Sequence, residues 1–150
     1  MTVVVGYVPT ATGFSAIREA EREALARGAD VLVVNVVGPR GFAVPTAADD
    51  KTLDAVVAHL TASGVRCAVR EINDDRSPAD ILLDVAREVD ATLIVLGMHQ
   101  RSWLAKRALG STVRSVALAA PCSVLVVPDV DGPAEPDLRE PPPLPSMGQG

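Results

Sequence analysis

The chain has 150 residues, 48% of them apolar, and 14 Lys and Arg against 19 Asp and Glu give a net charge of −5. That length suits one domain with a real core, and no apolar run approaches the ~20 residues of a membrane span. Without a dense Lys/Arg stripe the chain does not read as a nucleic-acid binder, because phosphate contacts depend on clustered positive charge.

Met1-Thr2 runs straight into Val3–Val5, with neither the basic stretch nor the cleavage site of a leader, so a cytoplasmic protein is expected. Thr2–Val8 is a β-branched run and reads as the first strand. After a Pro9–Gly13 turn, Ile17, Ala20, Ala24 and Leu25 share one helical face, and Gly28 stands where a C-terminal cap belongs. Val31–Val37 is a near-continuous apolar strand that leads into a loop at Gly38-Pro39-Arg40-Gly41. Leu53, Val56, Val57 and Leu60 then mark a second helix ending before Gly64, with Asp49, Asp50, Lys51 and Asp54 on its polar face.

Val65–Ile72 alternates apolar Val65, Cys67 and Val69 with Arg66 and Arg70, as an edge strand with one wet face does. Ser77-Pro78-Ala79-Asp80 opens the third helix: a serine to cap, a proline at the first helical position, and an acid for the positive helix end. Its buried stripe is Ile81, Leu82, Val85, Ala86 and Val89. Ala91–Leu96 reads as a strand buried on both faces, ending in Gly97. A short helix with Val113, Val116, Ala117 and Ala120 in register precedes a fifth strand, Cys122–Val127, stopped by Pro128.

Strands separated by helices, with no two-residue hairpin signal, imply parallel pairing through right-handed crossovers. The expected fold class is therefore α/β: a single-domain, doubly wound sandwich of a five-stranded parallel sheet and four helices over residues 1–128. Ligands of such sheets bind beyond the carboxyl ends of the strands at the switch point. Gly6–Val8, Val36–Gly38 and Gly97–Trp103 occupy that edge. Residues 129–150 hold five acids against Arg139, hence −4 of the −5, and six of the twelve prolines. That composition predicts an acidic, Pro-rich tail without a packed core, either solubilising or docking on a partner.

Cys67 and Cys122 belong to no C-x-x-C pair, and His59 and His99 lie forty positions apart, so neither a disulfide framework nor a metal site is expected. No nucleophile elbow, phosphate-binding G-x-x-x-x-G-K-[ST] loop or acid/base pair stands at the strand ends, so no catalytic residues are assigned. Asp74 and Asp75 after the third strand read as loop chemistry.

The informative constellation runs from Gly97 to Thr112. A glycine leaving a buried strand, then a loop, then Gly110-Ser111 opening a helix, has the chemistry of an anion cradle, in which amides at a helix start point at phosphate oxygens. On the residues alone, Gly97 could equally end a strand and Ser111 cap a helix. Arg101, Lys106 and Arg107 form the densest basic cluster, read either as an anion contact or as a solvated face. His99 and Trp103 stand in the same loop, the histidine as surface or phosphate contact, the tryptophan as packing or partner surface.

In this segment the sequence resembles the universal stress protein family, whose signature is Gly, two residues, Gly, nine residues, then Gly and Ser or Thr, followed by a helix and a Pro-Cys-x-Val-Leu-Val-Val strand. Gly97, Gly110, Ser111 and Ala120-Pro121-Cys122-Ser123-Val124-Leu125-Val126-Val127-Pro128 match it in spacing and type. Val3-Val4-Val5-Gly6-Tyr7 and Val33-Val34-Asn35-Val36 are similar to the family's first two strands. The resemblance implies strand order 3-2-1-4-5, a homodimer through the fifth strand, and in many members ATP at the switch point. Carried over residue by residue, it implies Gly97, Gly110, Ser111 and Thr112 for phosphate and the Val36 backbone for adenine, with Arg101 beside them. Two positions depart from it: Val8 replaces the Asp that follows strand 1 in ATP-binding members, and Gln100 replaces the second glycine. The expectation is a non-enzymatic, dimeric regulatory module whose degenerate site binds ATP weakly or not at all. The alternative is a functional sensor of ATP, AMP or a cyclic nucleotide.

Overall fold

In a computed structural model, the structure describes residues 1–7, 11–37, 50–98 and 110–128. Within them the elements are β1 (Thr2–Gly6), α1 (Ala11–Arg27), β2 (Asp30–Val37), α2 (Asp50–Ala62), β3 (Cys67–Asn73), α3 (Pro78–Glu88), β4 (Leu93–Met98), α4 (Ser111–Ala119) and β5 (Ser123–Pro128). The sheet is parallel throughout, in the order β3-β2-β1-β4-β5. The three inner strands are apolar at nearly every position because helices cover both of their faces.

Alternation along each strand sorts the core into two layers. Val3, Val5, Val31, Val33, Leu93 and Val95 meet Ile17 and Ala20 of α1 and Leu53, Val56 and Leu60 of α2. Val4, Leu32, Val34, Ile94 and Leu96 meet Leu82, Val85 and Ala86 of α3 and Val113 and Val116 of α4. At about 25 cal/mol per Å² of apolar surface, these two layers are the main term that offsets chain entropy. Among the described residues the one buried polar side chain is Asn35. It stands opposite Glu71 in the β2–β3 register and donates to its Oε2 at 3.5 Å.

Several expectations need correcting. Gly13 lies inside α1, and Leu25 is exposed: it sits in the last turn of α1, beside Gly64 and Val65 at the amino edge of the sheet. Ala117 is exposed because α4 buries only the narrow stripe of Val113 and Val116. Val65 is buried but precedes β3, and Cys122 precedes β5. Gly97 does not end β4, since it pairs with Val127 and the ladder continues to Met98 and Pro128. Val8 and residues 129–150 lie outside the described residues.

Three of the four helix-to-strand junctions within them turn on one left-handed residue. Gly28 has φ 65° and Gly64 φ 89°, with amides following them returned to Ala24 and Leu60. After α3 the same place is held by Asp90 at φ 56°, and Ala91 N–H donates to Ala86 O at 2.9 Å. An L side chain in that region costs about 1 kcal/mol relative to glycine. Asp90→Gly is therefore expected to raise stability by up to ~1 kcal/mol, read as a higher urea midpoint at unchanged slope. A lower midpoint would mean that the aspartate side chain holds the turn.

Candidate functional site

The chain returns from β1 through α1 to β2 on one side, and crosses from β3 through α3 to β4 on the other. The carboxyl ends of β1 and β4 therefore diverge into a crevice. A cavity of roughly 210 Å³ lies there, lined by Gly6, Tyr7, Val34, Val36, Leu96 and Gly97 from the sheet and by Pro78, Leu82, Thr112 and Val113 from α3 and α4. Its floor is mainly aliphatic and no described lining residue carries a charge. The volume is below the ~300–1,000 Å³ that encloses a drug-sized ligand, so anything larger than a ring system must extend past the rim.

Glycine at the end of β1 lets two leucines close in at the floor of the crevice. A Cβ at Gly6 would meet Leu82 Cδ1 at 3.0 Å and Leu96 Cδ2 at 3.1 Å. Both leucines are buried, at 3% and 4% exposure, so neither can simply swing away. Tyr7 N–H donates to Val34 O at 3.1 Å and keeps the ends of β1 and β2 zipped beside the opening. On the opposite face the Tyr7 ring meets Phe14 edge-on, with centroids 5.9 Å apart.

Two helices start at the rim, and their ends differ electrostatically. Ser77 caps α3 by accepting from the Asp80 amide at 3.2 Å, Pro78 occupies the first turn, and Asp80 supplies negative charge. The turn before it is clamped by Arg76, which pairs with Asp74 at 3.0 Å and also with Asp84. Those bonds hold the Asp74 carboxyl below its ordinary range and push the Arg76 guanidinium further up. At α4 the N-cap is Gly110, with no side-chain cap and no acid in the first turn. Gly110 O accepts from Arg114 N–H at 3.0 Å, while the amides of the first turn have no partner within the helix. The partial positive charge of α4 therefore faces the cavity with no acid of its own first turn to offset it.

Of the residues assigned from sequence, Val36, Gly97 and Thr112 line the cavity. Ser111 and Gly110 stand exposed at the start of α4, outside the lining. Gly110 has φ −62° and no described atom within 4 Å of a Cβ placed on it, so neither backbone strain nor crowding there calls for glycine. Arg101, with His99, Gln100, Trp103, Lys106 and Arg107, lies outside the described residues. Sequence reasoning missed Val34, Pro78, Leu82, Leu96 and Val113. Pro78 at a helix start that follows a strand was the available signal, since every helix after a strand begins at the carboxyl edge. Among the described residues no group of three or more His, Cys, Asp or Glu could hold a metal, and no helix is long and apolar enough to cross a membrane.

The model of the universal stress protein family matches residues 1–128. A universal stress protein of Mycolicibacterium smegmatis is 31% identical over 126 residues, covering 83% of this chain and 95% of the relative. The structure of a universal stress protein from Archaeoglobus fulgidus superimposes with a TM-score of 0.71 at 28% identity, covering 85% of this chain and 93% of the other. An Archaeoglobus fulgidus universal stress protein solved in complex with dAMP gives 0.62 at 27% identity, covering 85% and 97%.

Gly6→Ala forces a methyl group against two buried leucines and is expected to cost about 1–3 kcal/mol, the range of core overpacking. Leu82→Ala in the same chain should recover part of that cost, so the double variant falls short of the additive loss in a urea-melt cycle. Strict additivity would show that Leu82 does not set the fit at Gly6.

Proposed function

The chain belongs to the universal stress protein family, and from that premise we propose that it is a cytoplasmic, dimeric, non-enzymatic regulatory module that binds an adenine nucleotide weakly. The observation that carries the reading is the pairing, at one switch point, of an apolar crevice with the uncapped start of α4. A flat base suits the aliphatic floor of Val34, Val36, Leu82 and Leu96, and a phosphate suits the amides of Ser111, Thr112 and Val113. The dAMP bound by the relative from Archaeoglobus fulgidus supports the class of ligand.

Weak affinity follows from Val8 and Gln100. A lost hydrogen bond to a carboxylate costs about 1.5–3 kcal/mol, and a side chain at the second glycine position adds steric cost, together near a hundredfold or more in Kd. Val8→Asp with Gln100→Gly is expected to bring ATP binding into calorimetric range, while the unmodified chain gives little heat at the same concentration. Tight ATP binding by the unmodified chain would favour a functional nucleotide sensor, with Arg101 and Lys106 the first candidates for compensating contacts.

Dimerisation through β5 is supported by the contrast between the two sheet edges. β3 carries Arg70 and Glu71, whereas β5 reads Ser-Val-Leu-Val-Val-Pro and is half-buried along its middle. An uncharged edge strand invites pairing with another copy. Val126→Lys should shift sedimentation toward monomer with the circular dichroism spectrum retained, and an unchanged dimer would place the contact elsewhere.

A further inference from the structure

We propose that Asn35 and Glu71 are a positioning pair for the crevice: their cross-strand hydrogen bond holds the ends of β2 and β3 so that Val36 keeps its place in the wall. This rests on the nucleotide reading above and adds to it a determinant of affinity that lies outside the lining. The β1–β2 register stops at Gly6 and Val34, with Tyr7 N–H donating to Val34 O just beyond it. β2 runs on through Asn35, Val36 and Val37, in register with Glu71, Ile72 and Asn73 of β3. Val36 lines the crevice from within that two-stranded stretch. Two strands alone are marginally stable and twist more than a full sheet, so the course of such a ribbon depends on its cross-strand side-chain pairs.

Burial and chemistry single out this pair. Alternation puts the Asn35 side chain on the face of Val31 and Val33, the opposite one from Val34 and Val36. It is fully buried, the one polar side chain so placed among the described residues, and donates from Nδ2 to Glu71 Oε2 at 3.5 Å directly across the ladder. A valine, as at Val31 and Val33, would fill the same face with no directional demand. A buried amide instead ties the position of one strand to an acceptor on the other, because sliding or twisting either strand stretches the bond. Glu71 itself is exposed and lines a groove between α2 and β3, away from the crevice, so it can be replaced without altering the lining.

The test compares the full chain with Glu71→Ala, which removes the acceptor, and Glu71→Gln, which keeps an acceptor oxygen without the charge. AMP is the probe, with its Kd read from amide chemical shifts at millimolar concentration. Hydrogen exchange is read without nucleotide at the Ile72 amide, which faces β2 by the alternation that points Arg66 O at Val31 N–H. In Glu71→Ala, Kd is expected to rise about threefold to tenfold, the range of one hydrogen bond, and Ile72 to exchange faster by a similar factor. Glu71→Gln should stay within about twofold of the unmodified chain on both readouts. The sign discriminates, since removing a negative charge would by itself tighten the binding of an anion, and equally in both variants. Equal or tighter AMP binding by Glu71→Ala therefore overturns the proposal, even where its urea midpoint falls, because the pair would then be merely structural. Failure of Glu71→Gln to restore binding overturns the hydrogen bond as the cause. If AMP moves no amide of the unmodified chain, the nucleotide reading falls and Ile72 decides the pair: faster exchange in Glu71→Ala alone sustains it, and unchanged exchange overturns it.

Discussion

Two leucines resting on a bare backbone position set the geometry of the functional edge. β1 is the central strand, and its even-numbered positions face α3 and α4. Val4 fills its share of that layer, but Gly6, one step further along the same face, contributes no side chain. Leu82 and Leu96 close to about 3 Å of where its Cβ would stand. The first turns of α3 therefore seat deep against the end of β1, and the space above them becomes the crevice. A larger residue there would press on the ends of both leucines, which would have to give way in a packed layer.

Holding α3 in that seat takes more than apolar contact, because its start follows an edge strand with one wet face. Ser77, Asp80 and the Arg76 clamp between Asp74 and Asp84 fix the turn that delivers Pro78. Each such exposed pair contributes little alone, but several bonds on one short turn restrict where the helix can begin. On the far layer, His59 on α2 meets Glu21 on α1 at 2.7 Å, and bonds from Ser63 and His59 hold the Glu21 carboxyl below its ordinary range. The α1–α2 pair is thus tied by a polar contact as well as by the aliphatic contacts beneath.

Nearly all of the architecture was legible in the sequence, because a parallel sheet writes itself as apolar runs separated by helical periodicity. The misreadings share one cause: the width of a buried helical face depends on what lies beneath it. α1 crosses the sheet, yet its last turn overhangs the amino edge and leaves Leu25 in water, and α4 covers little more than the β4–β5 end and buries two valines instead of a stripe of four. Alanine weakens such readings further, since Ala117 is tolerated on either side. At the site, glycines and strand ends announced Gly97 and Val36, and the resemblance brought in Thr112. Leu82 belongs to a helix that arrives from the other half of the sheet, so only the crossing of β3 to β4 brings it into the crevice lining, and no local pattern carries that information.

The sheet treats its two edges differently, and the difference bears on the crevice. Around β3, Arg66 pairs with Asp30 at 3.2 Å and Arg70 with Glu88 at 3.0 Å, placing charge where an added strand would dock. β5 offers only aliphatic side chains between Ser123 and Pro128. A strand edge is complementary to itself when rotated by a two-fold axis, so an unguarded edge on one side gives a closed pair, whereas two unguarded edges would give an open chain. The charge around β3 leaves β5 as the edge on which the proposed pairing would rest. Under the proposed pairing a second copy would lie one strand away from Gly97, the β4 residue that lines the crevice, so the edge that is left unguarded is the one nearest the site.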